Sequence, residues 1–325
     1  AGKTTEKSTT IKTSQETVSE SITSGKTYTS NTTIYDSYNN PVKIPAGFKI
    51  ASDSGKNVTE GVVIEDVSAG DSNTKGNQYV WIPIGKVKYN TSGATKTINF
   101  GRYEFETNSA GVMKQSADNY TSVVEIDVGL DYYFKEVTSG AKNTVAKNLG
   151  DFITKAKNAG GYYIGRYEAG KVSGNENTFN IKKGQTVYNG IKQAKAAELA
   201  RNLYSSNTNF ESDLINSYAW DTAIVFIQTF SGDTDYSKQT SLQSTLTETG
   251  NAHDSDNNYD VRCNIYDMAG NVLEWSTETS TYSRAPCVSI GGYYINSGGY
   301  TANRFRYSTG TSSTDIGFRS TLYVK

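Results

Sequence analysis

Residues 264–275 read NIYDMAGNVLEW, with a Gly-Asn turn set between Asp267 and Glu274. Cys263 stands immediately before this stretch, and Cys287 stands just ahead of Gly291-Gly292. Gly317-Phe318-Arg319 then opens a run over 317–324 (GFRSTLYV) whose apolar residues predict a buried terminal strand. Upstream, 161–167 (GYYIGRY) reads as another strand. Helical spacing is clear in three places. Over 144–159, Val145, Leu149, Phe152 and Ala156 recur before a Gly160-Gly161 stop. The interval 192–204 is Ala-rich, and 218–230 puts Trp220, Ala223, Ile224 and Ile227 on one stripe. Short strands are predicted at 42–50, 61–67, 78–84, 98–105 and 122–128, separated by Gly/Asn/Asp/Ser turns. The sum is α+β, a few helices set among irregular, loop-dominated β structure.

Texture divides the chain into 1–33, 34–149 and 150–325. In the first segment 17 of 33 residues are Ser or Thr, and Ile11, Val18 and Ile22 are thinly spread among them. Such composition reads as a flexible linker or stalk. Thr-rich sequence also suits extended β structure. On that reading the segment is an arm that pairs as a strand with a second copy of the chain, with Ile11, Val18 and Ile22 as its contacts.

The 325 residues carry 32 basic and 33 acidic side chains in mixed order, a net charge of −1. Nucleic-acid binding needs clustered cations, so it is not expected. Membrane insertion is not expected either, since the longest apolar run, 223–227, is far short of the roughly twenty residues required. A single His and two Cys leave too few ligands for a His/Cys metal cluster. Two cysteines in a Ser/Thr/Tyr/Asn-rich chain fit one Cys263–Cys287 disulfide in an oxidising compartment, closing a loop worth about 3 kcal/mol. The alternative is two buried free thiols. With Ala1 leading the chain, the expectation is an extracellular or cell-surface location.

The 264–275 segment, the Gly291-Gly292 pair and Gly317-Phe318-Arg319 resemble the signature of the formylglycine-generating-enzyme family. Residues 161–168 and 217–228 resemble its early strand and central helix, so the match runs over 150–325. Residues 41–149 resemble the leading region of secreted clostridial-type proteins that carry this domain; 1–33 lie outside it. The resemblance implies an irregular C-type-lectin-like body. It does not carry the oxidase activity, because the family's catalytic Cys pair is missing: no Cys follows Cys287, and Asn296 and Thr301 stand where thiols belong.

The resemblance also implies structural calcium on Asp267, Gly270, Val272 and Glu274, two carboxylates and two carbonyls of the hard-donor kind. Asp254, Asp256 and Asp260 form a weaker acidic candidate. In this fold the surface near the C-terminus meets ligands, and here it carries Tyr293, Tyr294, Asn296, Tyr300, Asn303, Arg304 and Tyr307. Tyr and Asn in that mixture give large contact area and adaptable hydrogen bonds, suited to a glycan or protein receptor. The expected function is a non-enzymatic, self-assembling extracellular protein with a lectin-like binding surface. A monomeric adhesin module is the alternative.

Overall fold

The structure, a computed structural model, describes residues 21–103, 105–107, 113–114, 122–123, 134–136, 149–241, 245–252, 259–280, 282–294 and 299–325. Ile11, Val18, Asp254, Asp256 and Asn296, together with most of the predicted strand over 122–128, lie outside these residues. The architecture is α+β.

Helices form at the three places where apolar residues recur. Helix α1 (Leu149–Ala159) buries Leu149, Phe152 and Ala156, then stops at Gly160, whose φ of 74° is left-handed. Helix α2 spans Gln193–Asn202. Helix α3 (Ser217–Phe230) is capped by Asn216, whose side chain accepts from the Ala219 N–H. Every residue of α3 from Ser217 to Gln228 is buried, so its polar members, Asp221 among them, must find partners inside the protein.

The central sheet holds six antiparallel strands. Their order is Phe210–Leu214, Ser320–Val324, Gly161–Gly165, Gln78–Pro83, Val63–Asp66 and Phe48–Ile50. The Gly161–Gly165 strand therefore pairs with the C-terminal strand on one side and with a strand from the leading region on the other. The stretches 34–149 and 150–325, distinct in texture, share this sheet and one hydrophobic core. Gly161 is required there, because a Cβ would lie 2.4 Å from the Trp81 ring.

A second sheet is built on Leu273–Ser280. Phe134–Glu136 and Cys287–Ile290 flank it antiparallel, and Ile316–Phe318 pairs with it in parallel. Arg304–Tyr307 extends the sheet beyond Cys287–Ile290. All eight residues of Leu273–Ser280 (LEWSTETS) are buried, an unusually polar content for a covered strand.

Phe48–Ile50 is an edge strand, and residues 24–28 cover it. Ser24 bridges Ile50, Thr27 bridges Lys49, and Tyr28 is buried. Ile22 packs against this chain's own core.

Candidate functional site

The 264–275 segment is a chain of left-handed turns. Cys263 and Asn264 have φ of 47° and 64°, and both sit at the centre of the two-residue hairpin joining Val261–Arg262 to Ile265–Tyr266. Positive φ at both positions is what such a hairpin demands. Asp267 and Asn271 are left-handed as well, at 63° and 59°, in a region that Asn and Asp tolerate better than other side chains. The hairpin docks on the leading region. Asn264 Nδ2 donates to the Gly61 carbonyl at 2.8 Å, and a Cβ on Gly61 would lie 1.9 Å from the Cys263 carbonyl oxygen.

The cysteines are free, which corrects the expected disulfide. Cys263 is held in that hairpin, its Sγ 3.6 Å from the Thr59 carbonyl. Cys287 pairs with Thr279, six residues along the strand from Leu273 and so about 20 Å from its near end. The intervening chain is used to run out along one strand and back along the next. Burial pushes the Cys263 thiol up to about 12, against the opposing charge of Arg262, and the Cys287 thiol up to about 11.

Behind the segment lies a buried charge cluster. Arg319, fully buried, contacts Glu274 Oε1 at 2.6 Å through Nη2 and Oε2 at 3.0 Å through Nε, and donates to the carbonyls of Gly165 and Tyr266. Glu168 accepts from Asn271 Nδ2 at 2.7 Å and from the Val272 N–H. Asp267 accepts from the Gly250 N–H, and Asp260 accepts from the Ala269 N–H and the Tyr236 hydroxyl. Burial, then the charges of Asp267 and Glu274, lift Glu168 well above the usual carboxylate range. Burial and Asp267 push Asp260 up to about 6.

This geometry does not fit calcium on Asp267, Gly270, Val272 and Glu274. Both oxygens of Glu274 face the Arg319 guanidinium, which occupies the cationic role a metal would take. Among the described residues, no three His, Cys, Asp or Glu side chains are grouped to hold a metal ion.

A second buried cluster supports the C-terminal surface. Arg304 contacts both oxygens of Asp221 at 2.7 and 2.8 Å and Glu278 at 2.9 Å, and Arg102 reaches the other Glu278 oxygen at 2.6 Å. Burial alone would raise Glu278, yet the two guanidiniums hold it below the usual carboxylate range. Arg304 was expected on the ligand surface; it instead joins α3 to the second sheet, with its side chain 5% exposed. The polar helix and the polar strand thus satisfy one another.

Tyr293, Tyr294, Tyr300, Asn303 and Tyr307 are half-buried and remain at the surface. Tyr307 packs edge-on against Trp275 at 5.6 Å, and Tyr293 edge-on against Phe305 at 6.3 Å. Burial and then Asp315 raise the Tyr294 hydroxyl; Asp315 also acts on Tyr307, after burial and Tyr293, so Tyr294 and Tyr307 share one nearby carboxylate. Tyr300 and Asn303 flank a clamped turn. Thr301 is buried, and its carbonyl accepts from Trp220 Nε1 at 2.9 Å.

One surface cleft has no counterpart in the sequence reading. A cleft of about 780 Å³ opens between the Gly170–Val172/Asn175–Asn180 hairpin and residues 188–195, which lead into α2. Lys171, Lys192 and Lys195 line it. These residues are scattered over 25 positions in a charge-balanced chain, so no local motif marks them.

No family model matches the chain, and no curated protein matches it. Among solved structures, the crystal structure of CarF aligns at 13% identity with a TM-score of 0.34, over 75% of this chain and 98% of CarF. A likeness of that degree carries no argument about fold or function.

No helix among the described residues is long and apolar enough to cross a membrane.

Proposed function

We propose that the chain is a non-enzymatic extracellular recognition protein: a lectin-like body, built on a formylglycine-generating-enzyme-type scaffold without its thiols, that binds ligand at the 293–307 face. The observation that carries this reading is the division of labour among the polar groups. Asp221, Glu274 and Glu278 are engaged with the buried arginines Arg304, Arg319 and Arg102, and burial lifts both thiols well above their usual range. The tyrosines beside them are braced from beneath and half-exposed, suited to contact rather than chemistry. The test is a glycan array probed with the protein and with Tyr294→Ala and Tyr300→Ala. Binding lost in both variants, with unchanged melting temperature, supports the reading. Binding retained in both refutes this face as the site.

A second reading, self-assembly through the arm, is favoured by residues 24–28 adding themselves to the edge of the central sheet. Because residues 24–28 already cover this chain's own edge and Ser21 bridges Tyr35, the informative truncation removes only residues 1–20. Negative-stain images showing filaments or oligomers for the full chain and monomers for residues 21–325 support assembly; identical images from both refute it.

A further inference from the structure

We propose that the cleft between the 170–180 hairpin and the start of α2 is a binding site for an acidic oligosaccharide, one carrying carboxylate or sulfate groups on its rings. Its volume, about 780 Å³, falls within the range of small-ligand sites and suits a short run of sugar rings.

Three lysines meet one carboxylate, Glu176, around this space, in a chain whose overall charge is −1. Among the described residues neither Lys171 nor Lys192 has an ion-pair partner, and both are exposed. Lys195 is tied only to the exposed Glu198, at 2.9 Å. Such a pair is worth little and is easily exchanged for a ligand carboxylate. The cleft is therefore an anion-attracting surface whose charges are not spent on the fold, unlike those of Arg304 and Arg319.

The remaining lining decides which anion. Asn175, Asn177 and Asn189 bring amide groups, and Ser173 and Ser312 bring hydroxyls. Side-chain amides offer both donors and acceptors, the complement of a ring bearing many hydroxyls. Tyr188 and Ile191 give the cleft a buried apolar lining, suited to the C–H face of a sugar ring. Tyr188 is fixed by its hydroxyl, which donates to the Glu176 carbonyl at 2.7 Å. Lysines act as point charges and tolerate varied carboxylate and sulfate positions, whereas a phosphate site of high specificity favours the forked guanidinium. Among the described residues no arginine lines this cleft. An acidic peptide would also meet the lysines, but the small apolar lining offers its side chains little anchorage.

Isothermal titration at low salt with trigalacturonate and with sialyllactose tests the proposal, with maltotriose and tetraglutamate as controls. At least one acidic sugar is expected to bind, with affinity falling as salt rises. Lys171→Gln/Lys192→Gln should weaken it by roughly tenfold, while Tyr294→Ala leaves it unchanged, separating this cleft from the tyrosine face. The two lysines are exposed, so an unaltered melting temperature confirms that the variant folds. Four results overturn the proposal: neither acidic sugar binding at about 1 mM, maltotriose binding as well as the acidic sugars, the double variant binding as the parent does, or tetraglutamate binding more tightly than either sugar.

Discussion

Replacing Glu274 with Gln removes the carboxylate facing Arg319 while keeping the side chain's size. Both side chains are fully buried, and beyond their contacts of 2.6 to 3.1 Å Arg319 hydrogen-bonds, among the described residues, to the Gly165 and Tyr266 carbonyls. Breaking one side of such a buried pair costs about 3–5 kcal/mol, because the remaining charge stays out of water. Glu168 and Asp267 also act on Arg319, which places the expected cost in the lower half of that range. An unfolding entropy of about 2.1 cal/mol/K per residue converts this to a fall in Tm of about 4–6 °C for a chain of this length. Thermal melts followed by circular dichroism, with EDTA and with added calcium, provide the assay. The parent and Glu274→Gln should each melt at the same temperature in both conditions. A further Arg319→Met substitution should recover part of the loss, since it removes the stranded charge. A parent protein that is stabilised by calcium, together with a Glu274→Gln variant that has lost that response, refutes the ion-pair assignment and returns Glu274 to a metal-ligand role.

Asp260 titrates near 6 when folded and near 3.8 when unfolded, so between those values the folded state holds the extra proton and stability falls as pH rises. Asp260→Asn should flatten that slope, by about 2–3 kcal/mol across the window, as urea melts at pH 4, 5, 6 and 7 will show; an unchanged slope rules out Asp260 as its source. Intact mass of the denatured protein should be the same with and without reductant, and native Cys263 and Cys287 should react slowly with iodoacetamide, in keeping with unpaired thiols, half-buried at Cys263 and buried at Cys287, that burial holds protonated; a mass gain of two hydrogens on reduction would show a disulfide instead. Asn216→Ala should lower stability by about 1 kcal/mol, since the cap of α3 is lost, and a denaturant midpoint equal to the parent's argues that the cap is dispensable.

Much of the local structure is legible in the chain. Phe152 and Ala156 recur with helical period and stop at a glycine, and α1 forms there because that stripe covers the adjoining sheet. The predicted strand over 42–50 is instead broken, at Gly47, whose φ of 88° turns Pro41–Ile44 away from Phe48–Ile50. The tyrosine face was also visible, as a local run of Tyr, Asn and Ser. Arg304 within it was misplaced, since its partner Asp221 is 83 residues away and nothing in the run distinguishes an inward arginine from an outward one.

The sequence by itself determined the α+β character, the three helices and the buried C-terminal strand, because periodicity and turn residues act within a few positions of one another. Only the tertiary structure decided what each polar residue does. Glu274 turns to Arg319 across 45 residues, Glu278 to Arg102 across 176, and the three lysines of the cleft converge from a hairpin and a helix start. Whether a carboxylate awaits a metal or neutralises an arginine depends on which charge the fold brings within about 3 Å, a distance that the order of residues along a chain does not contain.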